Sequence, residues 1–199
     1  KLAAQIVKNV VKQTGKVVTV KFRKGFKRGE NIAVDFARYM QDAGASAITV
    51  HGRTREDYYM GNADWDTIAK VVESVNIPVI ANGDVTDVTT YLKIKDHTKA
   101  SGVMIARGAL GNLQLFKEIA DNCLKIDTIF DKVDKKRDIL LQVETLKNYY
   151  SDRYIYSNMK KQICYYLKGM SNSKLLKDKI CHVESVSELV SVVDSIDFD

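Results

Sequence analysis

Two apolar runs, Ile77-Pro78-Val79-Ile80-Ala81 and Ser101-Gly102-Val103-Met104-Ile105-Ala106, lack any alternation of polar with apolar residues. That absence constrains the fold more than any other feature. A strand with one wet face alternates, whereas a strand covered on both faces does not, and strands of the second kind belong to parallel sheets flanked by helices. Two further strand-like segments precede them, Lys16 to Lys21 and Ala45 to His51. Helical spacing fills the gaps. An opening helix from about Lys1 to Gln13 carries Leu2, Ile6 and Val10 on one stripe and stops at Gly15; a second carries Ile32, Phe36, Tyr39 and Ala43 and stops at Gly44; a third runs from about Trp65 to Val75.

Parallel strands joined by helical crossovers build either half of a (β/α)8 barrel or a small doubly wound sheet. The polar residues decide between them. Lys21, His51, Asn82 and Arg107 are read at or just beyond strand C-termini, the face on which barrels carry their sites. A doubly wound dinucleotide fold would place GxGxxG after its first strand, and no such motif occurs. The expected fold is therefore α/β, the C-terminal half of a TIM barrel with four parallel strands.

The last two strand runs lead into Asn82-Gly83-Asp84 and Arg107-Gly108, and the long polar loop Gly52 to Gly61 follows the second. Glycine lets backbone amides approach a ligand, a following helix N-terminus favours negative charge, and an arginine fork can clamp phosphate oxygens. One such loop is as well explained by an ordinary βα turn. Two in consecutive units favour a phosphate-bearing ligand.

Beyond Asn122 the pattern is helical only, which gives an expected division into residues 1–122 and 123–199. A helix from Lys135 to Tyr150 would place Ile139, Val143, Leu146 and Tyr150 on one stripe, and Ser185-Val186-Ser187-Glu188 has the form of a capping box. The net charge of +6 resides here: residues 147–180 hold eight lysines and arginines against two aspartates, and six of the ten tyrosines. Such interleaving suits phosphate contacts and base stacking, but it also suits a solvated lysine face over buried tyrosines. No apolar stretch approaches membrane-spanning length and no signal-peptide pattern opens the chain, so no membrane partner and a cytoplasmic location are expected. Cys123, Cys164 and Cys181 form no CxxC pair and no cluster with His51, His97 or His182. No metal site or disulfide framework is expected.

The segments Val20-Lys21-Phe22-Arg23-Lys24-Gly25, His51-Gly52-Arg53-Thr54-Arg55, Asn82-Gly83-Asp84 and Ala106-Arg107-Gly108-Ala109 fall in the order and spacing of tRNA-dihydrouridine synthases. Tyr58 to Trp65 and Met159 to Gly169 resemble that family too. The resemblance is to the C-terminal part of a bacterial-type member. It implies an oxidoreductase in which FMN, reduced by NADPH, passes hydride to a tRNA uridine while a cysteine protonates the other carbon. Carried onto this chain, it implies FMN contacts from Lys21, His51, Asn82, Gly83, Asp84, Ala106 and Arg107, with Gly108 nearby, and tRNA contacts from Arg153, Lys160, Lys161 and Lys168. Arg53 is read either as part of that site or as a loop residue paired with Glu56 or Asp57.

The family's first four strands and its catalytic cysteine have no counterpart here, so no catalytic residue is assigned and the chain alone is expected to be inactive. Its partner would be the missing barrel half or a self-association surface. The alternative is a non-catalytic half-barrel that binds RNA or a phosphate ligand. Another FMN barrel, of the dihydroorotate-oxidising kind, would have no use for the basic helical tail.

Overall fold

The computed structural model describes residues 1–125 and 135–198. Its elements run α1 (Leu2–Thr14), β1 (Thr19–Gly25), α2 (Ala33–Asp42), β2 (Ala47–Thr54), α3 (Trp65–Ser74), β3 (Val79–Asn82), α4 (Val88–Thr98), β4 (Gly102–Met104) and a 3-10 turn at Arg107–Ala109. Then come α5 (Gln114–Leu124), α6 (Lys135–Lys147), α7 (Asp152–Tyr166), α8 (Ser173–His182) and α9 (Val186–Asp194). The chain forms two units, Lys1–Gly108 and Ala109–Asp199. Helix α5, assigned from the sequence to the first domain, groups with the second unit.

In the first unit four parallel strands lie in the order β1-β2-β3-β4. Crossovers of one hand between strands laid down in sequence put every helix on the same face, whereas a doubly wound sheet must reverse its order. Accordingly α2, α3 and α4 pack against one another and on the strands. This is the half-barrel arrangement, with one sheet face under helices. Ile48, Val50, Val79 and Ala81 point into that layer and meet Met40, Ile68, Val71 and Ile94, all buried. Each fully buried Ile or Met contributes about 1.5–3 kcal/mol. Helices α3 and α4 start on side-chain caps: Asp64 accepts from the Thr67 amide, and Asp87 and Thr90 form a reciprocal capping box.

Two sequence expectations change here. Strand β1 begins at Thr19 and continues to Gly25, because Phe22 pairs with Val50 and packs on Phe36 at 4.8 Å between ring centroids. Lys21 is thus the third residue of the strand and not its end. In α1 the Leu2, Ile6 and Val10 stripe faces solvent, at 70%, 54% and 41% exposure. The smaller Ala3, Ala4, Val7 and Val11 face the core, with Val11 packed over Gly44, where a Cβ would lie 3.4 Å from it.

The second unit has its own core of Ile139, Val143, Ile155, Met159, Ile163, Leu167, Ile180, Leu189 and Val193. Helix α6 ends at Lys147, so Tyr150 lies in the connection to α7 rather than on the expected stripe. Ser185 caps α9 by accepting from the Glu188 amide, while Glu188 accepts from Glu184 rather than from Ser185, half of the expected box. Among the described residues no helix is long and apolar enough to cross a membrane.

Candidate functional site

Side chains alternate along a strand, so the face opposite the helices is set by register. Arg23, His51, Asn82 and Met104 share one level across the four strands, and Lys21, Thr49, Ile80 and Gly102 share the level before it. The sequence-assigned Lys21, His51 and Asn82 therefore stand on one face, joined by Arg23, which sequence reading passed over. Two-residue spacing from Lys21 along one strand was the available signal. Asn82 is buried and donates from Nδ2 to the Met104 carbonyl at 2.8 Å, which fixes its amide and ties β3 to β4. Among the described residues neither the His51 ring nor the Lys21 ammonium has a hydrogen bond or ion pair.

Burial, then the positive charges of Arg23, Lys21 and Arg53, push the His51 pKa down to about 4, with Asp84 opposing. At neutral pH the imidazole is uncharged and offers one donor and one acceptor. Burial and then Arg23 also lower the Lys21 pKa.

The polar loop after β2 is held by two guanidinium groups. Arg23 Nη1 donates to the Thr54 carbonyl at 2.7 Å and to the Tyr58 carbonyl at 3.2 Å. Arg53, only 3% exposed, donates to the carbonyls of Met60 and Gly61 and makes a two-point bond to Asp84 at 2.7 and 2.8 Å. The second Asp84 oxygen also accepts from the Ala63 amide at 2.7 Å. The partner of Arg53 is thus Asp84, not Glu56 or Asp57. A buried fork needs a carboxylate that can be reached in its own plane, and Asp84, with φ +61, offers one from the adjacent strand end. Burial would raise the Asp84 pKa, but the bonds from Arg53 and Ala63 overcome it and hold the carboxyl below its ordinary value. Asp84 is consumed in shaping the loop.

The two glycine loops meet closely. A Cβ on Gly108 would lie 2.1 Å from the Val85 carbonyl oxygen, and one on Gly83, at φ +134, would lie 2.5 Å from Ala63. Both positions exclude a side chain. Ala106 and Arg107 are exposed beside them, with the Arg107 guanidinium 3.9 Å over the Tyr59 ring. Stacking occupies one face of the guanidinium and leaves its N–H edges open to an anion. The rim thus combines an open arginine, an unpartnered lysine, a neutral histidine and two side-chain-free backbone turns, a set suited to a ligand with an anionic tail.

The dihydrouridine synthase family model matches residues 1–198. The chain belongs to the dihydrouridine synthase family. It is 36% identical to the probable tRNA-dihydrouridine synthase 1 of Synechocystis sp. over 97% of its length, 35% identical to the probable tRNA-dihydrouridine synthase of Rickettsia conorii over 96%, and 32% identical to tRNA-dihydrouridine synthase B of Pasteurella multocida over 88%. Those alignments take in 55%, 61% and 54% of the relatives, so the chain spans little more than half the length of these dihydrouridine synthases. A nitroalkane oxidase from Streptomyces ansochromogenes overlays 54% of this chain and 31% of its own at 18% identity and a TM-score of 0.37, too distant to bear on function.

The second unit carries the basic and aromatic stretch. Arg153, Lys161 and Lys168 are exposed, whereas Lys160 is half-buried with its ammonium 5.3 Å from the Tyr156 ring. Of the six tyrosines only Tyr166 is buried, and Tyr149, Tyr150, Tyr154 and Tyr165 face solvent. A solvated lysine face over buried tyrosines is not what forms. Cys123, Cys164 and Cys181 lie on helices α5, α7 and α8 of the second unit.

Proposed function

We propose that this chain is the cofactor-holding and tRNA-docking part of an FMN-dependent tRNA-dihydrouridine synthase that uses NADPH as reductant. The observation that carries the reading is the pairing of the side-chain-excluding turns at Gly83 and Gly108 with the open guanidinium of Arg107, on the rim where Lys21 stands without a partner. That set fits a flavin mononucleotide. Arg107 and the backbone at Gly83 and Gly108 would hold the phosphate, with Ala106 beside them.

When bound, the flavin would take hydride from NADPH and deliver it to the uridine double bond. Lys21 would supply positive charge beside the bound cofactor, the electrostatic assistance a protein can give a ring that gains negative charge on reduction. Neutral His51 offers one N–H and one lone pair without adding charge, and Asn82 is locked by β4. Asp84 acts at one remove: it holds Arg53, which holds the loop carbonyls at Met60 and Gly61. The acid that protonates the other uridine carbon is assigned outside these 199 residues, because none of the three cysteines sits at a strand end. Arg153, Lys160, Lys161 and Lys168 contribute backbone contacts to tRNA, whose affinity falls with salt.

The test is made on the protein expressed together with its natural upstream sequence. It should purify yellow and restore dihydrouridine to tRNA in cells lacking the activity, and Lys21→Ala and Arg107→Ala should each lose bound flavin on dialysis at least tenfold faster. Flavin retained equally by both variants removes the site assignment. A colourless protein that still binds RNA supports the non-catalytic half-barrel instead.

A further inference from the structure

Tyr150 and Tyr154 are stacked with ring centroids 4.3 Å apart and planes 16° from parallel, yet they are 48% and 45% exposed. Two rings that bury each other on one side and remain half open to water leave an apolar face with nothing over it. The stack exists because α6 stops at Lys147, which releases Tyr150 into the connection just ahead of the first turn of α7. Ile155, Met159, Ile163 and Tyr166 turn inward along α7. Helical spacing then lines up Tyr154, Asn158, Lys161 and Tyr165 away from that side, Lys168 follows in the turn just past the end of α7, and all five are exposed. Lys161 lies about 10 Å along the helix axis from Tyr154, at 1.5 Å per residue. Asn158 turns back to donate to the Tyr154 carbonyl at 2.9 Å and so presents no competing charge.

We propose that this stripe is a single-stranded RNA site in which an unpaired base stacks on the Tyr150–Tyr154 pair while Lys161 and Lys168 take the phosphates that follow. The inference rests on the tRNA-docking reading above and adds to it a stacking contact, which electrostatics alone would not need. The surrounding segment is strongly basic, so a protein partner would have to be acidic, and an exposed aromatic stack beside lysines matches a base next to its phosphate more closely than a carboxylate. Every base has a π face, so the site accepts any unpaired base, and sequence preference must arise elsewhere.

The full chain is titrated with a dye-labelled oligouridine carrying one 2-aminopurine, and with the same oligomer made abasic. Stacking predicts that 2-aminopurine fluorescence is quenched on binding and that the abasic oligomer binds about tenfold more weakly. Tyr150→Leu with Tyr154→Leu should abolish both effects and leave the salt dependence unchanged, Tyr150→Phe with Tyr154→Phe should keep both, and Lys161→Ala with Lys168→Ala should flatten the salt dependence. Far-UV circular dichroism checks that the leucine pair is folded, and the quenching is measured on the unaltered protein in any case. Equal affinity of the unaltered chain for both oligomers without quenching overturns the stacking site but leaves the electrostatic docking reading intact. No binding of either oligomer overturns both.

Discussion

Arg53, almost without water contact, is held in a set of five hydrogen bonds aimed at or around it: to Met60, to Gly61, twice to Asp84, and from Ala63 to the same carboxylate. Removing the carboxylate charge leaves a buried guanidinium unneutralised, so Asp84→Asn should cost roughly 2–4 kcal/mol in urea unfolding. Its pH signature differs from that of His51. The His51 pKa falls from 6.5 unfolded to about 4 folded, so the unfolded chain binds the proton first and stability is lost as pH falls from 6.5 toward 4. Asp84 is depressed from 3.8, so its contribution is present above that value and is lost only as pH falls below it. His51→Gln should flatten the first loss, worth up to about 3 kcal/mol, and Asp84→Asn the second. Thermal midpoints measured from pH 7 to pH 3 separate the two, and identical profiles for all three proteins would contradict both assignments. Neither effect is visible in the chain order. The candidates at strand ends were legible as polar residues after apolar runs, but the pairing of Arg53 with Asp84 spans 31 positions, and sequence neighbours Glu56 and Asp57 look equally suitable until the strands are paired.

Among the elements, the two glycine loops were the most legible and the strand limits the least. The loops stand out as glycines at consecutive strand ends, and the close approach of Val85 to Gly108 gives the glycine there its structural reason. Gly108→Ala forces a Cβ into the Val85 carbonyl. The backbone must move, at a cost of about 1–3 kcal/mol, and flavin retention in the longer protein should fall with it, whereas Gly29→Ala, where a Cβ meets nothing within 4 Å, should leave the loop pair unchanged apart from the strain of its own φ. Thermal melts and flavin dialysis of the two variants check this. Strand β1 was misplaced because β propensity does not tell Lys21 from Arg23, and only the packing of Phe22 against Phe36 extends the strand. The outward stripe of α1 was misread for a related reason. Both of its faces are apolar, and periodicity cannot choose between them; only the packing shows that Ala3, Ala4, Val7 and Val11 take the inner face.

At the scale of the molecule, two units with separate cores divide the chemistry: the strand-end rim belongs to the first, and the excess positive charge falls in the second. The first unit is open in two ways. Among the described residues its sheet ends at β1 and β4 with no strand paired beyond them, and α1 exposes Leu2, Ile6 and Val10 on one stripe. Open parallel edges and contiguous apolar surface are both routes to association, and an eight-stranded barrel would cover the edges with its other four strands. The chain by itself should therefore sediment as a concentration-dependent mixture. Ile6→Glu with Val10→Glu puts two charges on the stripe without touching the inward Val7 and Val11, so it should shift the distribution toward monomer with an unchanged circular dichroism spectrum. If the double variant associates as strongly as the parent, the contact runs through the strand edges. A parent chain monomeric at every concentration would mean that neither surface is sticky enough to need covering.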